Sequence, residues 1–190
     1  RRNSHVVSFR VFHPVASRPG AAGKEVRALL SALNAVKVPS VMIYPNSDAG
    51  GGTIIREIRN RQARHPCGPR IRVFRTLPHR DYLALMRYAS ALVGNSSSGI
   101  IEAPALGTPS LQVGRRQWGR EHGKGVSWCA AEKGEIEKAL RRVLRNQRPS
   151  PVRSLLRDHP YGDGHAADRI VRVLARTEKN VRLLQKRVSG

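Results

Sequence analysis

The stretch A-L-V-G-N-S-S-S-G-I, residues 91–100, starts apolar, breaks into three consecutive serines between two glycines, and turns apolar again. Such a run reads as a buried strand that ends in a loop feeding a helix. A junction of this kind presents backbone N–H groups, hydroxyl donors and the positive end of a helix dipole to one point, which makes it a cradle for an anion. Gly94 and Gly99 permit tight backbone geometry and close approach of a ligand. A plainer role stays open, in which Ser98 or Asn95 only caps the helix. No Walker-type phosphate loop accompanies the serines, and Gly123-Lys124-Gly125 is too short to count as one.

Outward from this stretch the same alternation recurs. Residues 5–13 (HVVSFRVFH) read as a strand stopped by Pro14. Residues 24–36 place Val26, Leu29, Leu30, Leu33 and Val36 at helical spacing. Strands are expected at 38–45, 71–77, 91–93, 110–113 and 126–130, with helices at 53–63, 81–89, 100–106 and 134–144. The helix at 134–144 has an acidic first turn and a basic last turn, which suits the helix dipole. Residues 147–162, with Pro149, Pro151, Pro160 and Gly162, read as a loop.

A final helix is expected over 166–187, with Ile170, Val173, Leu174, Val181 and Leu184 on one face. Arg172, Arg176, Lys179, Arg182 and Lys186 lie largely off that face, as a solvated basic stripe. Strands alternating with helices predict one α/β domain over residues 1–190, a Rossmann-like doubly wound parallel sheet with helices on both sides.

Ligands bind such sheets outside the carboxyl ends of the strands. Four polar or glycine-rich clusters fall at those ends: His13-Pro14, residues 46–51 (NSDAGG), residues 94–99 (GNSSSG) and residues 114–120 (GRRQWGR). One such cluster is an ordinary turn, whereas four on one edge make a site. Glu102 follows the serines by one helical turn; it either pairs with ribose hydroxyls, as acids do in nucleotide-binding sheets, or simply suits the first turn of a helix. Arg116 can grip phosphate through two N–H groups, or be plain surface. His13, at the end of a buried strand, reads by itself as a structural histidine.

Composition narrows the partners. Thirty-five Lys and Arg against thirteen Asp and Glu leave a formal charge of +22, which points to anionic partners. The arginines are scattered over nearly every segment, as a composition bias would scatter them, and no nucleic-acid module with interleaved aromatics is present. Cys67 and Cys129 show neither C-x-x-C nor zinc-finger spacing, so two reduced cytosolic thiols are expected, with no metal site. The apolar runs are strand-sized, no secretory signal opens the chain, and no membrane association is expected. Arg1 and Arg2 lead almost directly into a strand, as in a chain cut from something longer.

Taken together, H-P-V at 13, Y-P-N-S-D-A-G at 44, G-N-S-S-S-G-I-I-E-A-P at 94, G-T-P at 107, R-Q-W-G-R-E at 116 and Y-G-D-G at 161 resemble the carboxyl-terminal half of the hydrolysing UDP-N-acetylglucosamine 2-epimerases of sialic acid synthesis. The six motifs keep their order between about residues 5 and 175. Non-hydrolysing relatives carry H-R, D-S-G-G and T-E-R-P-E at the first, third and fifth of these places, so the resemblance favours the hydrolysing branch. Arg115 departs from the family, which more usually has a small residue there.

The resemblance implies the carboxyl-terminal lobe of a glycosyltransferase-B-like two-domain enzyme with UDP-sugar held between its lobes. It implies that Ser96 and Ser97 hold the diphosphate with Arg116 and His13, His13 being a phosphate contact with a possible catalytic assist. Glu102 would hold the ribose, Asn46 would bind UDP and with Asp48 shape the interdomain site, and Gly94, Asn95, Ser98, Gly99 and Gln117 would shape the cradle. UDP-sugar is then a substrate and no cofactor is expected.

The implied reaction is elimination of UDP followed by hydration to N-acetylmannosamine, with acid/base carboxylates supplied by an amino-terminal domain that this chain lacks. Glu132, Glu135 and Glu137 belong to a helix start and make a poor catalytic pair. The chain alone is therefore expected to bind nucleotide without turnover. Its terminal helix, 165–188, is expected to cross toward the other lobe, with homo-oligomers following from the family; the location expected from the thiols is cytoplasmic. Two competing readings are the donor-binding lobe of a glycosyltransferase and a basic polyanion-binding domain, the latter predicting salt-sensitive nucleic-acid affinity.

Overall fold

The computed structural model describes residues 8–64, 71–145, 159–179 and 185. Six strands, β1 (Ser8–Val11), β2 (Ser40–Ile43), β3 (Ile71–Phe74), β4 (Ala91–Gly94), β5 (Ser110–Val113) and β6 (Val126–Cys129), form one sheet of order β3-β2-β1-β4-β5-β6. Every pairing is parallel. The helices are α1 (Ala22–Val36), α2 (Gly51–Arg64), α3 (His79–Tyr88), α4 (Glu102–Ala105), α5 (Lys133–Arg145) and α6 (Ala166–Arg176).

The period-2 pattern of the strands sorts their side chains onto two faces. Met42, Ala91, Val93, Leu111 and Val113 pack with α1, α2 and α5 on one face. Phe9, Val11, Ile43 and Leu92 pack with Met86 of α3 and Ala103 of α4 on the other. β4 and β5 are buried along their whole length, as central strands covered on both faces must be. The expected doubly wound parallel sheet is therefore what the chain forms.

The order of winding reverses between β1 and β4. In their register Val11 stands opposite both Ile43 and Gly94, so the loops after β1, β2 and β4 leave the sheet at one level. That is where a crevice opens in a doubly wound sheet. Gly94 is a steric requirement of this closeness, since a β-carbon there would fall onto the Val11 carbonyl oxygen.

Several expectations need correction. The helix expected at 100–106 is a 3-10 turn, Ser97–Gly99, followed by the four-residue α4. Pro104 has no N–H to extend it and Gly107 turns the chain back at a φ of 75°, so little helix dipole stands behind the serine loop.

The final helix, expected to reach residue 187, stops at Arg176, where Thr177 becomes extended. None of its residues is buried, and Ile170, Val171, Val173 and Leu174 are all at least 58% exposed. Asp163 organises its start, accepting from the His165 N–H at 3.1 Å and from both terminal nitrogens of Arg169 at 2.8 and 2.6 Å. That ion pair and those hydrogen bonds hold the Asp163 carboxyl well below the usual carboxylate range. Val181, Arg182, Leu184 and Lys186, Cys67, the loop residues up to 158 and the first residues of the expected opening strand lie outside the described residues.

Substituting Gly94→Ala is expected to lower stability by about 2 kcal/mol or more, because the new methyl group meets backbone rather than a side chain that can turn aside. Urea unfolding monitored by circular dichroism reads this; an unchanged midpoint would show that β1 and β4 can part without cost.

Candidate functional site

Asn95 follows directly on Gly94 and has only 2% of its surface exposed. Its N–H donates to the Val11 carbonyl at 3.2 Å. Its side-chain amide then continues the β1–β4 ladder one step past the end of the strands. Oδ1 accepts from the His13 N–H at 2.7 Å, and Nδ2 donates to the His13 carbonyl at 2.8 Å. The Asn95 carbonyl in turn accepts from Arg116 at 3.2 Å and from Gln117 Nε2 at 3.1 Å. One buried residue thus ties the loops after β1, β4 and β5 together, with every polar group used, as burial demands.

The β2 loop joins through His13. The Asn46 N–H donates to His13 Nδ1 at 3.1 Å, so the proton of the neutral ring sits on Nε2. Burial pulls the ring's affinity for a second proton below the usual 6.5, and the Arg116 cation adds to this; the Asn46 side chain, as distinct from its N–H, and the Asp48 carboxylate oppose it. Asn46 Nδ2 donates to Asp48 Oδ2 at 2.6 Å. Burial is the largest influence lowering the Arg116 pKa, with Asp48 opposing and Arg120 reinforcing. The cluster is therefore a neutral imidazole N–H beside a partly buried guanidinium.

The serine loop lies at the same edge. Ser96 is buried, and its hydroxyl accepts from the Ser98 N–H at 3.3 Å, which makes it the cap of the 3-10 turn. Gln112 on β5 supports the loop from below, donating to the Ser96 carbonyl at 3.3 Å and to Ser110 Oγ at 3.2 Å. Gly99 makes that support possible, since a β-carbon there would collide with Gln112 Nε2. The N–H groups of Gly99, Ile100 and Ile101 close back on Ser96 and Ser97 carbonyls. With these donors spent inside the loop, its entry at residues 96 and 97 and its hydroxyls are what it can offer a ligand. Glu102, one turn on, keeps a buried carboxylate oxygen, Oε2, without a hydrogen-bond partner.

The structure thus gathers His13, Asn46, Asp48, Gly94, Asn95, Arg116 and Gln117 into one bonded cluster, with Ser96, Ser97, Ser98, Gly99 and Glu102 on the adjoining loop. Arg115 stands apart, stacked over the Trp118 ring at 4.5 Å. Gln112 and Tyr82, whose hydroxyl donates to Ser98 Oγ at 2.8 Å, escape a reading of the strand ends. A glutamine inside the four-residue β5 was the one available signal for the first. Nothing local marks the second.

Cys129 has a free thiol that burial, with the charge of Glu135, pushes up to about 11. Among the described residues no group of three or more His, Cys, Asp or Glu is placed to hold a metal ion, and no helix is long and apolar enough to cross a membrane.

Residues 2–175 match a family described as UDP-N-acetylglucosamine 2-epimerase. The chain is 31% identical over 165 residues to the polysialic acid biosynthesis protein P7 of Escherichia coli, covering 86% of this chain and 41% of that protein. It is 27% identical over 180 residues to the hydrolysing UDP-N,N'-diacetylbacillosamine 2-epimerase of Legionella pneumophila, with 95% and 45% covered. The solved structure of the Methanocaldococcus jannaschii UDP-GlcNAc 2-epimerase in complex with UDP-GlcNAc and UDP superposes with a TM-score of 0.64 at 16% identity, covering 92% of this chain and 47% of the other. The shared fold is one Rossmann-like lobe of a glycosyltransferase-B-like architecture. The chain spans less than half the length of each of these proteins.

The His13 environment makes stability pH-dependent. The unfolded ring takes its proton near 6.5, the folded ring only at lower pH, so the unfolded state binds more protons in between. This contribution is intact above 6.5 and is lost as pH falls below it. Denaturant unfolding between pH 7.5 and 5 should show a shallower acid decline for His13→Gln than for the parent; equal slopes would contradict the assignment.

Proposed function

This chain belongs to the UDP-N-acetylglucosamine 2-epimerase family, and we propose on that premise that it is the UDP-binding lobe of a hydrolysing member. The observation that carries the reading is the Asn95-centred cluster at the point where the sheet reverses its winding. It ties Arg116 and His13 to the residue that opens the serine loop, and a guanidinium, an imidazole N–H and serine hydroxyls make up the donor set a diphosphate needs. Ser96 and Ser97 hold the diphosphate with Arg116 and His13, while Asn46 and Asp48 shape the wall facing the sugar.

Glu102 holds the ribose. Its buried Oε2 lacks a partner, a costly state for a carboxylate that a donating ribose hydroxyl would relieve. The fold relative from Methanocaldococcus jannaschii holds UDP-GlcNAc and UDP, which supports the same ligand class here. The hydrolysing assignment rests on N-S-S-S-G and R-Q-W-G-R-E and on the Legionella pneumophila relative.

The reaction proposed for the whole enzyme is elimination of UDP from UDP-N-acetylglucosamine followed by hydration to N-acetylmannosamine, in the cytoplasm and without a cofactor. This lobe supplies grip on the leaving group, and a second lobe supplies the acid/base carboxylates. The exposed apolar residues of α6 support a helix that crosses onto that second lobe, or that joins copies in an oligomer.

Calorimetric titration with UDP tests the reading. The parent chain should bind UDP, and Ser97→Ala and Ser96→Ala should each weaken binding about tenfold or more while the circular dichroism spectrum is kept. Affinity for single-stranded DNA that is indifferent to UDP would instead favour a polyanion-binding domain. A second assay, for N-acetylmannosamine release from UDP-N-acetylglucosamine by the chain alone, should show no product; release would overturn the division of labour between lobes.

A further inference from the structure

Tyr82 on α3 has a fixed ring. It stands edge-on to the fully buried Phe9, with centroids 4.9 Å apart and planes at 76°, a favourable aromatic geometry. From that seat its hydroxyl reaches across to Ser98 Oγ at 2.8 Å. Burial, together with the nearby Glu102 carboxylate, pushes the Tyr82 hydroxyl above its ordinary value of 10, so at neutral pH it is an O–H and donates.

Ser98 Oγ has two acceptor positions and one proton. Tyr82 fills one acceptor position, and the Ser96 hydroxyl, at 3.4 Å, lies toward the other. The Ser98 N–H is spent on Ser96 Oγ. The Ser98 hydroxyl proton is then the group left over, on a residue that is only half-buried. A hydroxyl that already accepts becomes a stronger donor, because hydrogen bonds in a chain polarise one another.

We propose that Ser98 is a further hydroxyl donor to the anionic group held by the serine loop, and that Tyr82 is the positioning residue that turns its proton outward. This deepens the UDP-binding reading and rests on it. The grip on phosphate then runs from α3 through the loop to the ligand, so the helix opposite the β5 support takes part in affinity.

The test is a double-mutant cycle read by UDP titration of the full chain, with Tyr82→Phe, Ser98→Ala and the pair. Each single variant should lose about three- to tenfold in UDP affinity, and the pair no more than Ser98→Ala alone, since Tyr82 acts only through Ser98. Uridine, which lacks the phosphates, should bind all four proteins equally in an NMR titration. Losses that multiply, a fall in uridine affinity that matches the fall for UDP, or unchanged UDP affinity in both singles would each overturn the proposal. A parent chain that binds no UDP would instead remove the reading on which the proposal rests, and circular dichroism separates any of these from unfolding.

Discussion

Everything at the carboxyl edge of this sheet depends on one side-chain amide. Asn95 forms with His13 the pair of hydrogen bonds that two strands would form, at 2.7 and 2.8 Å, where the strands themselves have ended. Asparagine can do this because it carries both a donor and an acceptor, whereas an aspartate would set a carboxylate against the His13 carbonyl. The consequence is mechanical. His13 is held by its backbone, Arg116 and Gln117 by the Asn95 carbonyl, and the β2 loop by the ring of His13. Four loops thus share one buried anchor, which fixes their polar groups relative to one another.

That ordering gives the site a different electrostatic character from the rest of the molecule. The chain carries a formal +22, yet the gathered cluster keeps His13 neutral and sets the Arg116 cation within reach of Asp48. In the proposed function, recognition relies on a few directed donors in a partly buried place rather than on bulk positive charge. Directed donors read the shape of a phosphate group, while scattered surface arginines raise the local concentration of any anion.

The periphery obeys a contrasting logic. α6 is apolar on one face and exposed all round, and its fixed feature is the Asp163–Arg169 pairing that starts it. It is tethered near the body by Tyr161, whose hydroxyl donates to the Glu121 carbonyl at 2.9 Å. Unlike α1, which the core covers along one face, α6 draws no burial from this domain. A helix of this kind gains most of its stability from whatever apolar surface meets it.

Much of this was legible from residue order alone. Short apolar runs alternating with helical spacing determined a parallel doubly wound sheet, because period 2 and period 3.6 bury different sets of side chains. Glycine and serine at 94–99 and polar residues after the other strands marked the edge that carries the candidate site, because such loops supply hydrogen-bonding groups where the strands supply apolar packing. What only the tertiary structure decided was pairing across distance. The Asn95–His13 bond spans 82 residues, Gln112 reaches the serine loop from a neighbouring strand, and Tyr82 meets Ser98 only once α3 has packed on Phe9. Such contacts have no period to read, since they arise from the register of strands and the seating of helices. The brevity of α4 belongs with them: its apolar spacing fits a longer helix, and the turn at Gly107 that delivers the chain to β5 leaves it no room.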